Sequence, residues 1–172
     1  ELTDPTEDLT GYTEVDPDGV ITVTADRVTY ANLDSRNATS HVYSDKGAAH
    51  FSGDFEHSFK VNISDMGPGD EYPNQMAWHL TNTVDSIYDL QAETHIGMLL
   101  WENPVNTWKF MIRERYSNST YYDTVEFNEG TTYFIEIERD EAVGTYGTWY
   151  LYVATGDYWS NGGTQIGSAS VA

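Results

Sequence analysis

The chain has no cysteine and few basic residues. Its 172 residues include 8 lysines and arginines against 28 aspartates and glutamates, which gives a net charge of −20. The absence of cysteine excludes disulfides, thiolate metal sites and a cysteine nucleophile. The acidic excess argues against nucleic acid or an anionic membrane as a partner, because like charges repel. Divalent cations, neutral or cationic ligands and a salt-rich habitat fit this composition better.

Long apolar runs are also missing. No run approaches the roughly 18 to 20 residues that a membrane-spanning helix needs, so we expect no membrane insertion. No internal repeat of 20 to 50 residues is present, which argues against propellers and solenoids. The length suits one domain with its own core. With no initiating Met and no signal-peptide pattern, the chain is expected to be a mature or excised domain of a larger multidomain protein.

The clearest structural pattern lies in residues 131–154. Tyr133, Ile135 and Ile137 alternate with polar or charged neighbours, and Trp149, Leu151 and Val153 alternate with tyrosines. This period of two predicts an antiparallel hairpin of two half-buried strands, with glycines in the intervening turn. One face would enter a core. The other, lined with tyrosine and acidic groups, would suit a polar ligand.

Ten other runs also have strand character. They are residues 12–15, 20–24, 27–33, 41–43, 55–63, 75–81, 95–102, 107–115, 120–126 and 165–171. The turn Asp16-Pro17-Asp18-Gly19 predicts that the first two form a hairpin. Residues 83–93 have a weak helical pattern, and residues 1–11 are predicted to be a poorly ordered lead-in. The fold class is therefore all-β, with residues 12–172 forming one two-sheet antiparallel jelly-roll sandwich.

Three segments carry a family resemblance. They are GDFEHSFKVNI (53–63), TTYFIEIERDE (131–141) and GTYGTWYLYVATGDYWSNG (144–162). Together they resemble the concanavalin A-like lectin/glucanase jelly roll, and most of all the laminin G-like domains of secreted or cell-surface microbial proteins. The resemblance covers about residues 20–171. It implies two curved sheets, a structural calcium ion, binding of carbohydrate or protein, and an extracellular or cell-surface location.

An enzyme would have to use the carboxylates of the central hairpin. Retaining glucanases of this superfamily carry a Glu-x-Asp-x-x-Glu strand, and residues 136–141 read EIERDE, with Glu138 in place of the middle aspartate. Glu136 and Glu138 share one strand face with Cα atoms about 6.6 Å apart. That spacing allows the carboxyl separation of about 5 to 5.5 Å of a retaining pair. Glu141 falls beyond the strand, however, and a solvated acidic face is the alternative interpretation.

A polysaccharide lyase of the same sandwich type would need a tyrosine with a histidine or arginine. The chain supplies these residue types at His79, Arg113, Arg115, Tyr121 and Tyr122, but no motif connects them. Arg113 and Arg115 form the one basic cluster of the sequence. The alternative interpretation is that they form ion pairs with neighbouring glutamates.

The chain has candidate ligands for two metals. His57, His79 and His95 lie on successive strands, so a three-histidine zinc site is conceivable, although His57 fits better as a hydrogen-bonded core histidine. Calcium is favoured because it binds oxygen ligands in irregular loops. The candidate ligands are Asp16, Asp18, Asp54, Asp65, Asp70, Glu71 and Asp157, the last with Asn161 nearby.

Aromatic residues favour a binding function. Five tryptophans and 13 tyrosines exceed what one core requires, and sugar rings pack on aromatic faces. The candidate ligand-binding residues are Trp78, His79, Trp101, Glu102, Asn103, Arg113, Arg115, Tyr121, Tyr122, Tyr158 and Trp159. Trp108 and Trp149 are predicted to be core residues instead. The sequence thus predicts a non-catalytic, lectin-like domain for a poly- or oligosaccharide. The alternatives are a glycan-cleaving enzyme, or a structural or adhesive domain of a surface protein or virion fibre.

Overall fold

The protein is built almost entirely of β-strands. The computed structural model describes residues 7–31, 40–47, 49–66, 74–85, 93–102, 107–116, 119–145, 147–155 and 164–171. One 3-10 turn, Leu9–Gly11, is the helical element within these ranges. The strands are β1 (Thr13–Val15), β2 (Ile21–Val23), β3 (Val28–Tyr30), β4 (His41–Tyr43), β5 (Phe55–Asn62), β6 (Asn74–Thr81), β7 (His95–Glu102), β8 (Trp108–Tyr116), β9 (Ser119–Phe127), β10 (Thr132–Asp140), β11 (Thr148–Thr155) and β12 (Thr164–Val171). The all-β prediction is confirmed.

Eight long strands form two four-stranded antiparallel sheets. Sheet I has the order β12-β11-β10-β5, and sheet II is the meander β6-β7-β8-β9. The predicted central hairpin is confirmed, with β10 and β11 paired from Tyr133↔Thr155 to Asp140↔Thr148. Gly144 and Gly147 in its turn have φ of 83° and 89°, a conformation that side chains with a Cβ disfavour.

The two sheets face each other across one hydrophobic core. Every second residue of each central strand enters it, as the period of a half-buried strand requires. The buried cluster comprises Ile96, Met98, Leu100, Phe110, Ile112, Val125, Phe127, Tyr133, Ile135, Ile137, Leu151 and Val153. Full burial of each such side chain stabilises the fold by about 1.5 to 3 kcal/mol. The protein is therefore a β-sandwich, and Trp108 and Trp149 pack against its core as predicted.

The N-terminal strands pair differently from the prediction. β1 pairs with β4 and β2 pairs with β3, so the expected hairpin of the first two strands is wrong. The Asp16 carboxylate accepts hydrogen bonds from the Val20 and Ile21 amides at 3.0 and 2.9 Å. The turn is thus held by hydrogen bonds to the Asp16 side chain, and the strand that follows it, β2, pairs with β3.

The end of the predicted lead-in is part of the fold. The Leu9 amide donates to the Ala25 carbonyl at 3.0 Å, and Glu7 pairs with Lys46. Residues 7–11 are thus held to the domain, whereas residues 1–6 lie outside the described part. Of the predicted helical segment, residues 83–85 and 93 are not helical, and residues 86–92 lie outside the described part.

Strand β7 differs from the other strands in its burial. In β5 partly buried and exposed residues alternate, whereas seven of the eight residues of β7 are buried. Leu99 and Met111 point away from the core of the sandwich but are 2% and 6% exposed. The outer face of sheet II around β7 and β8 is therefore shielded from solvent.

Candidate functional site

The outer face of sheet I carries a cluster of acids and tyrosines. The inner positions of β10 and β11 are apolar, so alternation turns Glu136, Glu138, Tyr150 and Tyr152 outward. In the register, Glu138 pairs with Glu56 on one side and Tyr150 on the other, and Glu136 pairs with Ser58 and Tyr152. Paired residues of antiparallel strands share a face. We call Glu56, Glu136, Glu138, Tyr150 and Tyr152 the tyrosine–glutamate face.

The two tyrosines stand side by side. Their ring centroids are 6.1 Å apart and their planes differ by 14°, and both side chains are partly exposed. Desolvation, the negative charge of Glu138 and a hydrogen bond from the Tyr152 hydroxyl to that carboxylate raise the pKa of Tyr152. Tyr152 is therefore a neutral hydroxyl at physiological pH. Its hydroxyl is hydrogen-bonded to Glu138, and the Glu138 carboxylate can accept further hydrogen bonds.

On this face, the carboxyl group of Glu136 has a pKa well above its usual value. Burial raises its pKa from 4.5 to about 7, and the nearby charges of Glu56 and Glu138 add to the rise. A hydrogen bond between the Glu136 and Glu56 side chains favours the protonated form further. Near neutral pH the face thus combines a carboxylic acid that can donate a proton with carboxylates that can accept hydrogen bonds.

The third carboxylate of the glucanase pattern lies elsewhere. β10 ends at Asp140, so Glu141 lies in the following turn, as predicted. Its backbone amide donates to Asp54 at 2.6 Å, and its carboxylate lies 3.8 Å from the Arg139 guanidinium. Glu141 is therefore engaged at the hairpin turn and not on the tyrosine–glutamate face.

The outer face of sheet II carries the opposite charge. His79 pairs through Gly97 with Arg113, and His95 pairs with Arg115 in the adjacent row. We call His79, His95, Arg113 and Arg115 the histidine–arginine face. The ring of His79 lies against Gly97, where an added Cβ would be 2.3 Å from the His79 Cδ2 atom. The rings of His79 and His95 have centroids 4.5 Å apart.

Two groups of this face, His79 and Arg113, have lowered pKa values. Burial lowers the pKa of His79 to about 3, helped by repulsion from His95 and Arg113. Burial and then Arg115 lower the pKa of Arg113. The glutamate ion pairs expected for Arg113 and Arg115 are absent among the described residues. Glu114 alternates with both arginines and so lies on the opposite face of β8.

Two predicted binding residues point toward the interior. Trp78 packs against the core and stacks on His57, with ring centroids 5.5 Å apart. Alternation along β6 turns Trp78 inward, and its assignment as a ligand-binding residue stays a prediction. Glu102 is 7% exposed at the end of β7, and Trp101 pairs in register with Lys109.

The remaining predicted residues are only partly described. Tyr121 and Tyr122 are the register partners of Glu114 and Arg113, and their side chains lie outside the described part. Asn103, Tyr158 and Trp159 lie outside it altogether. His57 is on the inner face of its sheet, whereas His79 and His95 are on the outer face of theirs, so these three histidines do not form a zinc site.

The candidate calcium ligands in the described part have protein partners. Asp16 and Asp18 both accept a hydrogen bond from the Ser40 hydroxyl, at 2.8 and 3.2 Å. Burial would raise the pKa of Asp16, but its hydrogen bonds outweigh this and lower it. Among the described residues, no group of three or more His, Asp or Glu side chains could hold a metal. Asp65 is exposed, and Asp70, Glu71 and Asp157 lie outside the described part. Calcium binding stays a prediction.

Three residues of the tyrosine–glutamate face are not predicted individually from the sequence. Tyr150 and Tyr152 face outward because Trp149, Leu151 and Val153 face inward, so alternation alone could have selected them. Glu56 joins the face only through the pairing of β5 with β10, which brings together residues 82 positions apart. No local pattern reports such a pairing.

Within the described ranges, no helix is long and apolar enough to cross a membrane. Comparison of the chain with protein-family models, with curated proteins and with solved structures gave no match.

Proposed function

We propose that the protein is a non-catalytic, lectin-like carbohydrate-binding domain and that the tyrosine–glutamate face holds the glycan. The observation that carries the proposal is the register of β10 and β11, which places tyrosines beside glutamates on the outer face of sheet I. Partly exposed Tyr150 and Tyr152 lie beside the carboxylates of Glu138 and Glu136 on one regular surface. The ligand would be a neutral poly- or oligosaccharide, since a net charge of −20 disfavours polyanions.

The chemistry of this face matches that of a sugar. The C–H groups of a pyranose ring pack on an aromatic face, and its hydroxyls donate to carboxylates. The two nearly parallel rings provide the aromatic surface, and Glu56, Glu136 and Glu138 provide acceptors within one or two strands of it. Because these residues lie on paired strands and not on loops, the surface is rigid and little ordering is required on binding.

The structural setting of the proposal is a concanavalin A-like jelly roll of the laminin G-like kind. Two features support it. The strands form two facing four-stranded sheets, and β5 joins β10 although 69 residues separate their nearest ends in sequence. An extracellular or cell-surface location, a structural calcium ion and membership of a larger protein belong to the same proposal. The fold by itself does not specify the ligand.

The test is a polysaccharide array probed with the purified domain, followed by calorimetry on each glycan bound. Tyr150→Ala and Tyr152→Ala should each weaken binding about tenfold, the loss expected for about 1.4 kcal/mol of stacking and hydrogen bonding. Tyr30→Ala is the matched control, because Tyr30 is 40% exposed and lies on β3, away from sheet I. Full binding by both sheet I variants, or no bound glycan on the array, would refute the proposal.

A second candidate function is glycoside hydrolysis at the same face. The raised pKa of Glu136 favours it, because a general acid needs a pKa near the working pH. Glu136 would protonate the leaving oxygen, and Glu138 would attack the anomeric carbon to give a glycosyl-enzyme that water then hydrolyses. A reducing-sugar assay on every bound glycan separates the two functions. Release of reducing sugar by the wild type that is lost in both Glu136→Gln and Glu138→Gln would establish the enzyme. Binding without product leaves the lectin-like domain, and neither result leaves a structural or adhesive domain.

A further inference from the structure

The histidine–arginine face brings two arginines and two histidines together in a strongly acidic protein. The chain has only 8 lysines and arginines, yet two of them, Arg113 and Arg115, lie two residues apart on one face of β8. His79 and His95 lie beside them on β6 and β7. No carboxylate forms an ion pair with either arginine within the described ranges.

Several polar atoms of this face are buried without a hydrogen-bond partner. They are both ring nitrogens of His79 and the Nε atom of Arg113. Leaving such a group buried and unsatisfied destabilises the fold, and more so when the group is charged. Natural folds pair such groups almost without exception, and the unsatisfied atoms of His79 and Arg113 point to a ligand that supplies acceptors.

We infer that the histidine–arginine face is an anion-binding site, which takes a single carboxylate or sulfate group such as an acidic sugar carries. The guanidinium groups of Arg113 and Arg115 would donate to the oxygens, since their planar fork matches both oxyanions. The ring of His79 lies against Gly97 at the neighbouring register position and borders the site. This site lies on the opposite sheet from the tyrosine–glutamate face and does not depend on glycan binding there.

The charge of the molecule restricts the ligand. The face attracts anions only at short range, because the Debye length at physiological ionic strength is about 8 Å and the remainder of the protein is acidic. A polyanion would extend across the acidic surface and be repelled. One acidic group on an otherwise neutral molecule meets the cations without that penalty. Arg113 and Arg115 are partly exposed, which leaves the group a route from solvent to the guanidinium groups.

The experiment uses sodium sulfate and sodium glucuronate as probes in thermal unfolding and calorimetry. Sodium chloride at matched ionic strength controls for general screening, and glucose controls for the sugar ring. Both probes should raise the melting temperature beyond the chloride control. A response to glucuronate alone would assign a carboxylate ligand, and a response to sulfate alone would assign a sulfate. A response equal to that of chloride for both would overturn the inference.

Variants locate the effect. Arg113→Gln and Arg115→Gln should weaken probe binding by about tenfold or more, as expected on loss of a charge-assisted hydrogen bond. Arg27→Gln is the matched control, because Arg27 is exposed and pairs with Asp26 at 3.1 Å. A purely structural arginine would destabilise the free protein when removed. Here Arg113→Gln should melt at the same or a higher temperature in probe-free buffer, because repulsion and buried charge are relieved.

Histidine resonances in NMR spectra of the unmodified protein provide a test that needs no variant. Sulfate should shift the ring signals of His79 and His95 and leave those of the exposed His50 unchanged. Equal shifts at all histidines would show nonspecific binding and overturn the inference.

Discussion

The acid at position 136 should make the stability of this protein depend on pH in a defined direction. Burial and the neighbouring carboxylates raise the pKa of Glu136 from 4.5 to about 7 in the folded state. The folded protein therefore holds this proton more tightly than the unfolded chain does. The associated stability is fully present below pH 4.5 and is lost as the pH rises through about 7. Glu136→Gln, which mimics the protonated acid, should remove that loss.

The size of the effect follows from the same values. Each pKa unit corresponds to about 1.36 kcal/mol of stability. The shift from 4.5 to about 7 would therefore correspond to about 3.4 kcal/mol if none of it were screened by solvent. Glu136 is only partly buried, and solvent screening reduces electrostatic contributions at such positions. We expect Glu136→Gln to raise the free energy of unfolding by about 1 to 2 kcal/mol at pH 8 and by nearly nothing at pH 4.

Urea unfolding of the wild type and the variant at half-unit intervals from pH 4 to pH 9 measures the difference. The control is Glu14→Gln, which removes the same charge from an exposed position on β1. This control separates the local effect at Glu136 from the general gain in stability on reducing a net charge of −20. A stability difference for Glu136→Gln that does not change between pH 4 and pH 8, or that matches Glu14→Gln throughout, would refute the reasoning.

Three further predictions concern the core, the packing of sheet II and calcium. Phe110→Ala removes a fully buried ring that stacks on Phe127 at 4.3 Å, and it should lower the free energy of urea unfolding by about 3 to 5 kcal/mol. Val84→Ala, at a residue 57% exposed, should change it by less than about 0.5 kcal/mol. Gly97→Ala should cost about 1 to 3 kcal/mol and displace the His79 ring, whereas Gly11→Ala has no atom within 4 Å of the new Cβ and should cost much less. Calcium added after a chelator wash should raise the melting temperature, and an unchanged value would exclude a structural calcium ion.

Sequence periodicity predicted the strands of this fold well because alternation is a local property. The predicted strands 41–43 and 95–102 coincide with β4 and β7, and the hairpin 131–154 contains β10 and nearly all of β11. In β5 the apolar and histidine positions of the sequence, beginning with Phe55 and His57, coincide with the partly buried positions of the strand. A period of two requires no knowledge of the partner strand, so it can be read from one segment at a time.

Pairing could not be predicted in the same way. The turn at Asp16 predicts a reversal of the chain but does not predict which strands pair after it. In the structure the Val20 and Ile21 amides donate to the Asp16 carboxylate, and β2 pairs with β3. The candidate site has the same limit. Outward placement of Glu136 and Tyr152 follows from alternation, whereas the neighbouring Glu56 and the resulting high pKa of Glu136 arise only when β5 lies beside β10.

The burial of β7 on both of its faces has a consequence for mutational tolerance. In β5, with alternating exposure, a substitution scan should show a tolerated residue at every second position. In β7 the outward-facing Leu99 is as buried as the inward-facing Met98, so neither set of positions can accept a polar side chain without cost. Tolerance along β7 should therefore be uniformly low. Among the strands whose burial is described along their whole length, β7 would constrain divergence of the chain most.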